Sequence, residues 1–462
     1  MEGVMGGSGD VGRRIELVML VFAALIVTAA FALVEINTHH PLTMTAVWLG
    51  LAFLGVFVVA HLAVRRWAPH ADPLILPCVA LLNGLGLVMI YRLDLAPDVS
   101  EPAAPRQVAW TAVALVFFLV VLAVLKDHRV LAKYGYTCGL AGLVALILPG
   151  VLPSSISEVQ GAKVWVRVGG LSIQPGEFAK ILLIVFFAAF LVAKRELFVV
   201  AGRRVAGVQL PRLRDLGPLL AAWGVSIGVL ALEKELGASL LFFGIVLAML
   251  YVATGRIGWV AVGMVLFTVG CFVAYHLFSH VRVRVANWVD PIADYYGKGY
   301  QMARAMFALA AGGISGTGLG VGHPDLVPEA NTDFITVAFG EELGLIGLCA
   351  LLLAYLLLAV LGMRSALTVR DNFGKLLAGG LSFTIILQVF VVVGGATKFI
   401  PETGITAPFL SKGGSSLLAN YMLAALLLRI SDAARRPSVA PPAPPPRIPL
   451  AGAETVMVRT TP

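Results

Sequence analysis

Charge is scarce in this chain. Only 13% of its 462 residues are Asp, Glu, Lys or Arg, while 59% are hydrophobic and the mean hydropathy is +0.91. Soluble domains carry about 25% charged residues, so that shortage excludes a soluble globular protein and implies a polytopic membrane protein. Cysteine is scarce as well. Cys78, Cys138, Cys271 and Cys349 all fall in apolar runs at unrelated spacings, which excludes a disulfide framework and a cysteine-based metal site. The first apolar run has no small-residue cleavage site and a second run follows it closely. It therefore reads as a retained span and not as a secretory signal.

Long apolar runs are what the chain has in abundance. They lie near 15–34, 45–64, 72–91, 107–125, 133–151, 177–193, 215–232, 237–254, 257–279, 334–363, 376–397 and 408–428. At about 1.5 Å per helical residue each reaches across a hydrocarbon core of roughly 30 Å once tilt is allowed. The expected fold is all-α, with about twelve spans. Lysine and arginine resist translocation and mark the cytoplasmic side. With both termini inside, 22 of the 34 basic residues fall in inner segments. The expectation is therefore cytoplasmic termini and an extracellular loop of about 280–333 between the ninth and tenth spans. This bias, with attraction to anionic membrane lipid, accounts for the net charge of +8, so no nucleic-acid partner is inferred.

Between the spans, residues 1–14 read as a cytoplasmic N-terminal tail, and residues 433–462, with their PPAPPP run, as a disordered cytoplasmic tail unable to bury a core. Residues 194–214 mix arginines with Phe, Val and Leu, as an interfacial amphipathic segment does. The run GGISGTGLGVG at 312–322 has the glycine content of a phosphate loop, but no strand precedes it and no lysine follows at the required spacing.

Polar groups concentrate in the outer loops. GAKVWVRVGGLSIQPGEFAK at 161–180 leads into a span whose first turn carries Glu177 and Lys180 on one face. LEKELGAS follows at 232–239, then ANWVDPIADYYGKGYQ, PEANTDF and GEELG between 286 and 344, and TKFIPETGITAPFLSKGGSS at 397–416. Taken singly, these motifs have ordinary readings. Glu177 and Lys180 suit a mutually neutralising pair, GGSS a helix cap and small-residue packing surface, Asp290 before Pro291 a turn, and Tyr295, Tyr296 and Tyr300 interfacial anchors.

In this order and on this face, GAKxW, QPGEFAK, ELGAS, DYYGKGYQ, ANTDFITVAFGEELG and IPETGITAPFLSKGGSSL resemble the shape, elongation, division and sporulation (SEDS) family, which includes RodA and FtsW. The resemblance covers roughly 72–429 and implies a ten-helix glycosyltransferase core. Residues 15–66 would then be an added N-terminal pair like that of actinobacterial members. It implies a peptidoglycan glycosyltransferase that polymerises lipid II, the undecaprenyl pyrophosphate-linked precursor, onto a growing glycan strand at the outer membrane face. It also implies a class B penicillin-binding protein as transpeptidase partner. Aligned on GKGYQ, the family's essential aspartate is Asp294, expected as the catalytic base. Residues expected around the substrate are Lys163, Trp165, Arg167, Gln174, Glu177, Lys180, Glu235, Gln301, Thr332, Asp333, Lys398, Ser411, Lys412, Ser415 and Ser416. The chain departs from the family pattern at Val164, Gly176, Glu235 and Lys412, where the family has a basic residue, serine, aspartate and tyrosine.

The chemistry asks for such residues. A sugar hydroxyl needs a carboxylate to take its proton as it attacks, and a departing lipid pyrophosphate needs cations or hydrogen-bond donors. Lys163, Arg167, Arg282, Arg284, Lys398 and Lys412 are available outside. A divalent cation, Mg2+ or Mn2+, suits the same task, with no ligands assignable from sequence. The rival readings are a transporter or flippase of lipid-linked precursor, which needs polar groups along its path, and a scaffold that recruits a transpeptidase. Within the family, the N-terminal pair and the 397–420 segment favour the elongation (RodA-like) branch over the division (FtsW-like) branch.

Overall fold

The computed structural model describes residues 7–39, 44–97, 99, 101–159, 162–168, 171–195, 204–205, 208–209, 217–233 and 235–437. Fourteen helices of at least eleven residues are described, and they carry the fold: α1 (Gly7–Asn37), α2 (Met44–Trp67), α3 (Ile75–Asp94), α4 (Ala104–Val124), α5 (Gly135–Val151), α6 (Pro175–Ala193), α7 (Gly217–Glu233), α8 (Leu236–Thr254), α9 (Ile257–Leu277), α10 (Ser279–Val289), α11 (Tyr300–Gly312), α12 (Ile335–Thr368), α13 (Asn372–Ala396) and α14 (Gly414–Arg435). Among the described residues, strand is limited to three short antiparallel hairpins, β1–β2 (Glu158–Val159, Ala162–Lys163), β3–β4 (Val166–Val168, Leu171–Ile173) and β5–β6 (Arg204–Val205, Val208–Gln209).

Ten of these helices are long and apolar enough to cross a membrane, while α5 and the apolar part of α7 are shorter. The twelve expected spans therefore divide into ten full-length and two short ones. Burial shows which helices form the centre. Within the most apolar stretch, 83% of α14, 78% of α3 and 72% of α13 is buried, against 28% of α2 and of α9. The first three are enclosed by other helices, and the last two turn most of their apolar surface outward, as lipid-facing helices do. Helix α14 packs on α4, α12 and α6, and α13 packs on α12, α8 and α6. Helix α1 attaches to this core through α3 and α2 mainly through α4, and the two helices are joined by a buried seam in which Glu16 meets Arg13 at 2.5 Å and His61 Nδ1 at 2.6 Å.

The glycine run at 312–322 is explained by packing. Helix α12 is broken at Gly344 (φ +67°), and Gly316 (φ +83°) lies against the break. Leu345 and Ile346 donate to the carbonyls of Gly313 and Ile314, while Thr317 and Gly318 donate to those of Glu341 and Glu342. A Cβ on Gly344 would stand 2.3 Å from the Gly316 nitrogen, so backbone meets backbone where a side chain has no room. The acids of GEELG complete the joint. Glu342 binds Arg92 of α3 at 2.9 Å and accepts from Gly320 N–H, and Glu341 accepts from His323 N–H. This segment is a structural clasp and not a phosphate loop.

Two expected tails are revised at their edges. Helix α1 already begins at Gly7, inside the stretch read as an N-terminal tail, and α14 continues to Arg435, past the expected start of the C-terminal tail at 433. Residues 438–462 lie outside the described residues. So does most of the 194–214 segment read as amphipathic, of which Lys194, Arg195 and the β5–β6 strands are described.

Candidate functional site

Four helix starts converge at one end of the bundle. Helix α6 opens with Pro175, whose fixed φ suits a first turn, and its N-cap is Gln174. The Gln174 N–H donates to Ser415 Oγ at 2.9 Å, and its side chain reaches Glu235 Oε2 at 3.5 Å. Glu235 is itself the N-cap residue of α8. Two positive helix ends thus meet beside a carboxylate, a favourable arrangement for negative charge.

One turn into α6, Glu177 and Lys180 are both 7% exposed. They meet as an ion pair at 2.8 Å, although Glu177 Oε2 makes no hydrogen bond. Lys180 Nζ also donates to Gln388 Oε1 of α13 at 3.0 Å, and Gln388 donates onward to the carbonyl of Thr406 at 2.8 Å. Thr406 Oγ1 donates to Ser416 Oγ at 3.0 Å. The chain from Glu177 to Ser416 ties α6, α13 and α14 together.

A second group of charges adjoins the first. Arg284 of α10 donates through Nη1 to the carbonyl of Glu402 at 2.9 Å. A Cβ on Gly404 (φ +73°) would lie 3.2 Å from Arg284 Nη2 and 3.6 Å from Asp333 Oδ2, so glycine lets that guanidinium and carboxylate approach the loop. Burial pushes the Glu235 carboxyl up to about 7, with Glu177 and Asp333 adding to the rise and Lys180 and Arg284 opposing it. Burial likewise pushes Asp333 up to about 7, reinforced by Glu402 and Glu329 and opposed by Arg284. Glu402 is also raised by burial, against the pull of Arg284. Near neutral pH Glu235 and Asp333 sit between neutral and ionised, so the cluster can lose or gain negative charge at little cost.

The start of α14 is fastened by its serines. Ser411 Oγ donates to the carbonyl of Thr332 at 2.7 Å and accepts from Ala407 N–H at 2.8 Å, and the Lys412 N–H donates to the carbonyl of Asn331 at 2.8 Å. Gln107 of α4 donates to the carbonyl of Ser411 and accepts from Gly413 N–H, both at 3.2 Å. The small residues of GGSS serve packing too, because a Cβ on Gly414 would lie 2.3 Å from Trp110.

Of the residues singled out from sequence, Gln174, Glu177, Lys180, Glu235, Asp333, Ser415 and Ser416 come together here, with Thr332, Ser411 and Lys412 at the edge. The others stand apart. Asp294 lies exposed in the turn after α10, where Oδ2 accepts from Lys298 N–H at 3.0 Å. Asp290 forms the turn before it, its Oδ1 accepting from Ile292 and Ala293 N–H. Lys163, Trp165 and Arg167 belong to the β-hairpin loop, and Arg167 donates to the carbonyl of Glu158. Gln301 donates to the carbonyl of Pro328, and Lys398 (φ +62°) donates to that of Val289. Sequence reasoning passed over Glu402 and Gln388 and counted Arg284 only among the outer cations. A lone amide inside the apolar run of α13 was the available signal for Gln388.

Residues 72–436 match the cell cycle protein family of FtsW, RodA and SpoVE. The chain belongs to this family. It is 56% identical over 429 residues to the peptidoglycan glycosyltransferase RodA of Mycobacterium tuberculosis (strain ATCC 25618 / H37Rv), covering 92% of each chain. It is 54% identical to that of Mycobacterium leprae, covering 92% of this chain and 91% of the other. A probable peptidoglycan glycosyltransferase FtsW from Trichlorobacter lovleyi is 30% identical over 370 residues, 78% of this chain and 93% of that one. Among solved structures, a chain from work on the structural coordination of polymerization and crosslinking by a peptidoglycan synthase complex superposes with a TM-score of 0.60 at 27% identity, covering 78% of this chain and 97% of that one. Rod shape determining protein RodA of Thermus thermophilus shares the fold with a TM-score of 0.53 at 24% identity, over 78% and 96%. The FtsW/RodA/SpoVE match begins just after α2, so α1 and α2 precede the family core. The chain is a multi-pass membrane protein of this family.

Proposed function

We infer that this chain is a peptidoglycan glycosyltransferase that polymerises lipid II into glycan strands for cell elongation and shape. The observation that carries the reading is the gathering of Glu177, Glu235, Asp333 and Glu402 with Lys180 and Arg284 at helix starts on one end of the bundle. A transporter of the same precursor would hold its decisive charges near the midplane. An apolar groove of about 360 Å³ supports a lipid-linked substrate. It is lined by Trp223, Phe243, Phe267 and Trp288, and by Leu236 and Thr403, which follow Glu235 and Glu402 directly. A polyprenyl chain lying there would bring its pyrophosphate to the charged cluster.

In this reading the clustered end faces outward and both termini are cytoplasmic, because 22 of 34 Lys and Arg flank the opposite side. Asp294 is the base that takes the proton of the attacking hydroxyl. It is exposed, with one oxygen engaged by Lys298 N–H. Lys180 and Arg284 face the charge that develops on the departing pyrophosphate, and the carboxyls raised to about 7 reduce repulsion by holding protons. Among the described residues no three His, Cys, Asp or Glu are grouped to hold a metal ion. A divalent cation, Mg2+ or Mn2+, would therefore rest on one or two acids such as Glu235 or Asp333 and take its other ligands from pyrophosphate and water, as Mg2+ commonly does. The partner is a class B penicillin-binding protein, a reading supported by the fold shared with a peptidoglycan synthase complex.

The test is direct. Purified protein given lipid II in detergent should form glycan polymer with no second compartment present. Failure to polymerise, combined with movement of lipid II across proteoliposomes, would replace the polymerase with a transporter.

A further inference from the structure

At the end of the bundle opposite the acid cluster lies a second charged cavity, of about 260 Å³. It is built where α4, α12 and α14 end. Lys126 and Arg129 come from the segment after α4, Arg370 from the residue pair after α12, and Arg429 and Arg436 from the end of α14. Two acids, Asp127 and Asp432, share its walls with these five cations.

The acids are already occupied. Asp432 accepts from Arg436 at 2.6 Å and from His70 N–H at 2.9 Å, and Asp127 accepts from Arg129 N–H at 2.9 Å. The neighbouring Asp371 accepts from His128 at 2.9 Å and from Gly374 N–H at 2.7 Å. Lys126 and Arg370 have no acidic partner among the described residues. Arg429 is 4% exposed and donates to the carbonyls of Trp67 and Leu122, while its Nε is buried without a partner. The cavity thus holds a buried guanidinium backed by two exposed cations without an acidic partner among the described residues, and its five cations outnumber Asp127, Asp432 and the neighbouring Asp371.

We propose that this cavity binds the phosphate of an anionic phospholipid headgroup. Phosphate suits several converging donors and charge-assisted hydrogen bonds. The cavity also opens where spans leave the hydrocarbon, the level at which basic pockets between helices take such headgroups. Val124 and Leu367, just before Lys126 and Arg370, are 77% and 76% exposed, an apolar surface for acyl chains beside the charged one. The leaflet rests on the orientation inferred above, and would be the inner one; the ligand does not rest on it.

The test uses purified full-length protein. Native mass spectrometry would count phosphatidylglycerol retained from mixed phosphatidylglycerol and phosphatidylcholine nanodiscs, for wild type and for Lys126→Ala/Arg370→Ala. Both side chains are exposed, and a Lys126→Arg/Arg370→Lys variant keeps the charge and controls for misfolding. Wild type and the charge-keeping variant should retain phosphatidylglycerol alike, and each alanine should weaken retention about fivefold, the effect of one basic side chain at an anionic surface. Inorganic phosphate added at millimolar concentration should not displace the lipid. Displacement by phosphate would assign the cavity to a free anion and overturn the lipid. Equal retention by wild type and the double alanine variant would overturn the site.

Discussion

Arg284 and Glu402 are joined at 2.9 Å by a hydrogen bond from the guanidinium to the backbone carbonyl. The bond hooks α10, the helix between α9 and the Asp294 turn, to the loop that leads into α14. A second latch lies one helical turn on, where Trp288 donates to the carbonyl of Lys398 and Lys398 donates to that of Val289. Because Asp290 follows Val289 directly, the position of Asp294 depends on these latches. The same guanidinium opposes the rise of three acids, Glu235, Asp333 and Glu402. Arg284 therefore couples the Asp294 turn to the buried cluster.

Removal of Arg284 should change both roles. In Arg284→Gln the three acids lose their shared cation, so their pKa values rise further. If ionisation of the cluster limits turnover, the pH at which polymerisation is half-maximal moves upward and the rate at neutral pH falls about tenfold or more. A pH–rate profile of the purified variant checks this. An unshifted profile would remove Arg284 from the electrostatics of the site.

Asp294→Asn should abolish most polymerisation, by about 10² or more, because an amide accepts no proton. Its oxygen can still accept from Lys298 N–H, so the turn and the thermal stability should be kept. Asp290→Asn, which alters only the preceding turn, should be milder. Near-normal turnover in Asp294→Asn, measured with purified lipid II, would take the base role away from this residue.

Hydropathy made the spans legible, because insertion depends on the local sum of apolar side chains. The same reasoning placed α5 and α7 within two residues of their described bounds, although α5 and the apolar part of α7 are shorter than the other spans. The pairing of Gly316 with Gly344 was hidden, as each glycine alone suggests only a turn. The site was legible where neighbours along the chain share a helix face, as with Glu177 and Lys180. Gln388 and Glu402 were not, because their partners Lys180 and Arg284 come from distant segments that only the fold brings near.

Stability should fall as pH rises. Glu235 and Asp333 have folded-state pKa values of about 7 against ordinary values of 4.5 and 3.8. Raised pKa values mean that the folded state holds these protons more tightly, so their contribution is full below the ordinary values and lost as pH climbs through about 7. The melting temperature in detergent should decline across that window, and Glu235→Gln with Asp333→Asn should flatten the decline. A decline of equal steepness in the double variant would assign it to other groups.

Lys412 separates two readings of the last helix start. Its N–H bonds to the carbonyl of Asn331, a contact that any residue other than proline retains. Lys412→Tyr therefore keeps the backbone and an interfacial anchor. A side chain that holds pyrophosphate predicts a rate fall of roughly 10² on losing one charged donor. An unchanged rate at saturating lipid II would leave Lys412 as an anchor only.

The Glu177–Lys180 pair offers the sharpest division between structure and chemistry. Both side chains are buried, and Lys180 is shared between Glu177 at 2.8 Å and Gln388 at 3.0 Å. Glu177→Gln or Lys180→Met strands one charge in a site of low dielectric, at a cost of about 3–5 kcal/mol, so each should lower the melting temperature and the rate. The double variant leaves no stranded charge, although Gln388 Oε1 still loses its donor, a smaller cost of about 1–3 kcal/mol. Most of the stability should then return. If Lys180 serves the departing pyrophosphate, activity stays low in the well-folded double variant, because the cation is gone whatever the fold. Recovery of rate along with melting temperature would show the pair to be structural and would leave Arg284 as the cation that faces the substrate.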